Sequence, residues 1–238
     1  MFEGKRIAVV VPAFEEEPRI ARMLGAIPEL VDVVVVVDDA SRDRTSAAAR
    51  AALPRAIVLR HEENAGVGRA IVTGYREAIA QGADIAVVMA GDGQMDPTDL
   101  PRLLRPIVEG RADYTKGDRM RHPDVRRAMP AHRYWVGRGL AFLTARAAGL
   151  AALSDSQSGY TAITREAIGG LDLDAMYPRY GYPNHLLGML AARGSRIEDV
   201  VVRPVYAGEK SGLRPWHVAM ILRIIAGVAI ERRRGARR

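Results

Sequence analysis

Carboxylates placed just beyond buried strands are the residues of this chain best suited to chemistry. A five-valine run, residues 33–37, ends in Asp38-Asp39-Ala40-Ser41-Arg42-Asp43. Val10-Val11 leads into Pro12-Ala13-Phe14-Glu15-Glu16, and Val88-Met89 into Ala90-Gly91-Asp92-Gly93-Gln94-Met95-Asp96-Pro97. Acids in such places accept hydrogen bonds from ribose hydroxyls or base N–H groups. Asp92 stands on a glycine-flanked turn with the Gln94 amide two residues on, a pair of hard oxygen donors for Mg2+ or Mn2+ holding a diphosphate. Capping explains some of the same residues: Ser41 and Asp43 are N-cap types, Glu16 suits a first helical turn, and Asp96-Pro97 starts a helix. It explains Asp43 and Asp96 well, and it leaves Asp39 and Asp92 over.

These residues share a crevice only if the fold brings the strand ends together. Strands are expected at Arg6–Val11, Val31–Val37, Ala56–Leu59, Asp84–Met89 and Asp113–Lys116. Helical patterns fall between them at Glu16–Ile27, Asp43–Leu53, Gly66–Gln81 and Thr98–Glu109. Apolar strands alternating with helices read as a doubly wound α/β sheet, mainly parallel, that binds ligands at the carboxyl ends of its strands. After Arg119 the pattern changes. A basic stretch to Arg133 precedes a helix over Tyr134–Gly149, a polar turn and strand over Ser154–Ile163, a helix near Tyr182–Arg193, a strand at Arg196–Arg203 and a last apolar-then-basic helix.

Composition removes several function classes. With 48% hydrophobic and 26% charged residues among 238, disordered and fibrous classes are out. The chain has no cysteine, which excludes disulfides, thiolate zinc sites and cysteine nucleophiles and fits a reducing cytoplasm. Of the net charge of +7, residues 231–238 supply +4. The nearly balanced body and the 5% aromatic content argue against nucleic acid as a partner. No secretory signal is expected, since the run Ile7 to Val11 is short and acids follow it.

Two loops and the last helix each carry two readings. Asn64–Gly68 reads as a phosphate cradle of backbone N–H groups, or as a plain helix start capped by Asn64. Lys210, within Gly208–Gly212, is placed to meet a phosphate or to stand in solvent. Trp216 to Ile230 is too short to span a bilayer and contains Arg223. Trp216, Met220, Ile224 and Val228 share one stripe of it, suited to an anionic bilayer surface or to packing on the core or in a homodimer.

In chain order, Val-Pro-Ala-Phe-Glu-Glu (11–16), Val-Asp-Asp-Ala-Ser-Arg-Asp-Arg-Thr (37–45), Asn64-Ala-Gly66-Val-Gly68, Gly91-Asp-Gly-Gln-Met-Asp-Pro and Gln157-Ser-Gly159-Tyr-Thr-Ala resemble family 2 glycosyltransferases of the GT-A fold. The resemblance runs from about Arg6 to Trp216 and points to the branch similar to dolichyl-phosphate mannosyl- and glucosyltransferases. It implies a GT-A (Rossmann-like) domain over 1–212, with a donor half (1–118) and an acceptor half (119–212), then an amphipathic helix and basic tail (213–238). Pro12, Ala13, Phe14 and Glu16 would line the nucleoside pocket, with Asp39 reading the base. Asp92 and Gln94 would hold Mg2+ or Mn2+ against the diphosphate, and Arg119 would meet the diphosphate or an acceptor phosphate.

Two departures stand out. Ala90 occupies the position of a family acid, and His185 replaces a carboxylate in Tyr182-Pro-Asn-His-Leu-Leu187. A polyprenyl phosphate acceptor needs no strong base, because its oxygen is already anionic; for a hydroxyl acceptor, His185 or Asp155 becomes the candidate base. The resemblance thus implies an inverting glycosyltransferase using a nucleoside diphosphate sugar and a polyprenyl phosphate, cytoplasmic and peripheral at the inner face of the membrane. A repurposed GT-A protein, acting on a soluble small molecule or only binding the nucleotide sugar, is the alternative that Ala90 and His185 motivate.

Overall fold

A strand carries apolar residues on both faces only when both faces are covered, and this requirement shapes the whole chain. The computed structural model describes residues 1–205 and 215–235. Its strands are β1 (Ile7–Ala13), β2 (Val33–Asp38), β3 (Ile57–Arg60), β4 (Ile85–Val88), β5 (Tyr114–Asp118), β6 (Thr161–Thr164) and β7 (Ile197–Val201). Helices α1 (Glu17–Gly25), α2 (Thr45–Ala52), α3 (Val67–Ala80), α4 (Leu100–Val108), α5 (Val125–Ala128) and α6 (Ala131–Ala148) precede α7 (Arg165–Gly169), α8 (Tyr182–Ala192) and α9 (Pro215–Gly235). Every residue of β1 and β2 is buried.

The strands form one sheet in the order β3-β2-β1-β4-β6-β5-β7. The parallel reading holds for β3, β2, β1 and β4. β6 runs antiparallel between β4 and β5, and β7 pairs parallel with β5. Of the polar turn and strand expected over Ser154–Ile163, the turn takes the larger part and the strand begins at Thr161. Asp155 accepts the N–H groups of Gln157 and Ser158, which removes those amides from a ladder.

Alternate side chains feed opposite cores, as the pleat requires. Ala8, Val10, Val35 and Val37 pack with α3 and α8, and Ile7, Val9, Val34 and Val36 pack with α1 and α4. Helix α9 closes the α8 side, where Ile221, Ile225 and Val228 meet Leu140, Ala147 and Ala148 of α6. Ile224 is buried too, so half of the stripe read from the sequence is a packing surface; Trp216 alone of the four is exposed. Among the described residues no helix is long and apolar enough to cross a membrane.

Candidate active site

The loops after β1 and β2 are fastened to each other. Glu15 N–H donates to Ser41 Oγ at 2.9 Å, Glu16 N–H to Thr45 Oγ1 at 2.9 Å and Glu17 N–H to Asp43 Oδ2 at 3.1 Å. These donors include amides that the start of α1 leaves without intrahelical partners. Asp43 also accepts Thr45 N–H at 3.0 Å from the position before Arg44, the N-cap residue of α2, so it satisfies a first-turn amide in each of two helices without being the cap itself. Glu15 (φ 57°) and Ala40 (φ 63°) hold left-handed backbone, a cost met where two loops must turn sharply beside a cleft.

Asp38 is wholly buried and braces its own loop. Burial alone would raise its pKa, but hydrogen bonds from Ser41 and Ser46, with the Arg60 charge, hold it below the usual carboxylate range. Asp39 Oδ1 accepts Ala65 N–H at 2.9 Å and lies 2.8 Å from His61 Nδ1, while Oδ2 accepts Gly66 N–H at 2.7 Å. His61 Nε2 is in turn 2.9 Å from Thr73 Oγ1. Three of about four acceptor positions on Asp39 are thereby taken by the fold itself.

The phosphate-cradle reading of Asn64–Gly68 does not hold. The Ala65 and Gly66 amides already serve Asp39, and the glycines are required by the close approach of Tyr177–Arg179: a Cβ on Gly66 or Gly68 would collide with the Pro178 or Tyr177 carbonyl oxygen. Asn64 is no cap either; Gly66 (φ 98°) occupies that position, and Asn64 Oδ1 accepts from Arg179.

The strand ends open onto a cleft of about 200 Å3. Asp92, Gln94, Arg119, Arg133 and Gln157 form its polar side, and Met95, Met120, Met129, Tyr160 and Tyr182 its apolar side. Pro12 lines the same cleft, Ala13 is buried and does not line it, and Glu16 pairs with Arg19 at 2.6 Å. Phe14 points outward and is exposed. Asp92 accepts Gln94 N–H at 3.0 Å, while Asp96 accepts Thr98 N–H at 2.9 Å and starts the next helix, as expected.

The donor set fits a divalent cation of a particular kind. Among the described residues no cluster of three or more His, Asp or Glu is present, and Asp92 is the one carboxylate lining the cleft. One carboxylate and an amide suit Mg2+ or Mn2+ that takes its other ligands from substrate phosphates and water.

Arg119 is held by a two-point contact with Asp155, Nε to Oδ2 at 2.8 Å and Nη2 to Oδ1 at 3.2 Å. Asp155 is fully buried and also accepts Gln157 and Ser158 N–H groups. Burial works to raise its pKa, yet Arg119 and the Lys116 charge hold it low. A saturated, ionised carboxylate cannot serve as the base read from the sequence. Lys116 is buried beside it, donates to Ser158 O, and is lowered to about 8 by burial.

His185 is likewise turned away. It does not line the cleft, whereas its helix neighbours Tyr182 and Pro183 do. Its Nδ1 accepts Tyr177 N–H at 3.2 Å, and burial lowers its pKa, so the ring is neutral near pH 7. Lys210 lies outside the described residues. Arg133 and Gly137, one turn apart on α6, line the cleft and were missed in the sequence; their i,i+4 spacing beside Arg119 was the available signal.

The profile of glycosyl transferase family 2 matches residues 8–171. A UDP-N-acetylglucosamine–dolichyl-phosphate N-acetylglucosaminyltransferase of Methanococcus voltae is 29% identical over 218 residues, covering 85% of this chain and 86% of the relative. An undecaprenyl-phosphate mannosyltransferase of Micrococcus luteus is 31% identical over 203 residues, covering 83% and 82%. Among solved structures, glucosyl-3-phosphoglycerate synthase of Mycobacterium tuberculosis, in complex with Mn2+, UDP-glucose and phosphoglyceric acid, superimposes with a TM-score of 0.71 at 25% identity, covering 95% of this chain and 80% of that one. The GT-A-like sheet, the strand-end cleft and the matched motifs converge: this chain is a glycosyltransferase and belongs to glycosyl transferase family 2.

Proposed function

We propose that this enzyme moves a sugar, with inversion, from a nucleoside diphosphate sugar to a polyprenyl phosphate at a membrane surface. The observation that carries the reading is the cleft's lining. Beside Arg119 and Arg133 it presents Met120, Met129 and Gly137, and among its described lining residues the one acid is Asp92 on the donor side. An acceptor with an anionic head and an apolar chain matches both walls, and it requires no general base.

Asp92 and Gln94 would hold the divalent ion, which when bound neutralises charge developing on the diphosphate. Arg119, kept in place by Asp155, presents its guanidinium to phosphate oxygens. An acceptor phosphate oxygen attacks the anomeric carbon as the bond to the diphosphate breaks on the opposite face. The electron pair leaves with the diphosphate, and no proton has to be removed from the acceptor.

The dolichyl- and undecaprenyl-phosphate relatives support a lipid-linked acceptor. The phosphoglyceric acid in the structural neighbour favours a second reading, a soluble phosphate-bearing acceptor. Incubation of the full chain with UDP-, GDP- and dTDP-sugars, with Mg2+ or Mn2+, against a short-chain polyprenyl phosphate and 3-phosphoglycerate in parallel separates the two. Sugar recovered on the polyprenyl phosphate supports the proposal. Sugar on phosphoglycerate alone replaces it with the second reading.

A further inference from the structure

Helix α6 is built inside out. Its buried face is made mainly of small residues, Gly137, Ala141, Thr144, Ala145 and Ala148, with Leu140 the one large apolar member. Its large apolar side chains face solvent: Trp135 and Phe142 are each 65% exposed, and Val136 and Leu143 accompany them. At 100° per residue these four share one arc of the helix. Helix α9 repeats the arrangement, with Trp216, Leu222 and Ile230 exposed opposite its packed Ile221, Ile225 and Val228.

The two helices pack on each other and on α8, and Arg232 Nη1 donates to Arg146 O where their C-terminal ends meet. Their outer arcs therefore adjoin, on the side away from α8. Their charge is as one-sided as their shape. Together α6 and α9 carry seven arginines and a single acid, Glu231. Residues 119–149 and 215–238 are net +11 in total, which leaves the remainder of the chain at −4.

We propose that the joint outer face of α6 and α9 docks on an anionic lipid bilayer. Trp135, Phe142, Leu143, Trp216 and Leu222 enter the headgroup boundary, and Arg138, Arg146 and Arg223 meet lipid phosphates. Charge complementarity selects this occupant. A second copy of the chain would set the same arginines against each other, whereas anionic headgroups neutralise them. The membrane face thus shares only Trp216 with the stripe read along α9, of which Ile224 and Val228 are packed away. Arg133 and Gly137, on another side of α6, line the cleft, so docking places the cleft beside the bilayer from which a lipid phosphate would enter. The proposal deepens the lipid-linked acceptor reading and rests on it for its purpose, but the binding is measurable without donor or acceptor.

The chain's only two tryptophans, Trp135 and Trp216, both lie on this face and report on it directly. The full chain is mixed with phosphatidylcholine vesicles, with or without equimolar phosphatidylglycerol, at low and high salt. Co-sedimentation with the anionic vesicles, a blue shift in tryptophan emission and weakening by salt are expected. The double variant Phe142→Ser/Leu143→Ser, checked for an unchanged circular dichroism spectrum, should lose about tenfold or more in vesicle partition. A double variant that partitions like the parent overturns the proposal, as does a protein left in the supernatant. An emission shift that follows protein concentration without lipid overturns it in favour of a dimer face. Binding without sugar transfer to polyprenyl phosphate upholds this docking face and removes only the acceptor reading.

Discussion

Arg119 and Asp155 join by two hydrogen bonds, 2.8 and 3.2 Å long, across the seam between β5 and the turn before β6. The contact places a cation on the cleft wall and holds it from behind by a carboxylate that is 1% exposed. Asp155→Ala leaves Lys116 and Arg119 without their buried counter-charge and should cost about 3–5 kcal/mol in urea unfolding. Arg119→Lys should fold, because a cation remains, but lose donor or acceptor binding, because one ammonium does not reproduce the guanidinium fork. An Asp155→Ala variant as stable as the parent would remove Asp155 from the account of the cleft.

The pH dependence of stability follows from the same seam. Asp155 and Asp38 have folded pKa values below their unfolded ones, so their contribution is present above about pH 4 and is lost as pH falls through the folded values. Lys116 behaves in the opposite sense. Its folded value of about 8 lies below the unfolded value of 10.5, so the unfolded chain binds more protons between them and stability rises as pH climbs from 8 toward 10. Lys116→Met should flatten that rise in urea titrations, and an unchanged slope would show that Lys116 does not titrate there.

At the ion site, Asp92→Ala should abolish Mn2+-dependent binding of a nucleoside diphosphate sugar in calorimetry while leaving the melting temperature unaltered. Ala90→Asp supplies another hard oxygen at the same turn and should tighten that binding. Loss of affinity in Ala90→Asp would show that the turn is shaped for something other than a cation.

Gly66 separates packing from phosphate binding. Gly66→Ala introduces a Cβ at φ 98° against Pro178 and should cost on the order of 2 kcal/mol with no ligand present. A stable Gly66→Ala variant with weakened nucleotide binding would restore the cradle reading.

How much the sequence disclosed depended on what each signal encodes. The valine runs of β1 and β2 and the alternating helices fixed the doubly wound half, since burial on both faces leaves an unambiguous pattern. The insertion of β6 between β4 and β5 was not legible, because a four-residue strand carries no record of its partners. His185 is on the helix where the sequence placed it, yet packing sets the phase of α8 and turns the ring toward Tyr177. Asp155 reads as a candidate base and Lys116 as a strand end, and neither reading discloses the burial that joins them to Arg119 and Ser158. The outward Trp135 and Phe142 of α6 had the composition of a core helix, and only the structure shows which side faces solvent.

The central claim is that an acceptor phosphate reacts without a general base in the cleft. Its most direct test compares turnover on a short-chain polyprenyl phosphate with turnover on the matching polyprenol, using the preferred nucleotide sugar, for the parent and for His185→Ala. The account predicts product from the phosphate alone, with His185→Ala within about twofold of the parent and no loss of rate as pH falls through the histidine range. Comparable transfer to the alcohol, or a large loss of rate in His185→Ala, would contradict it.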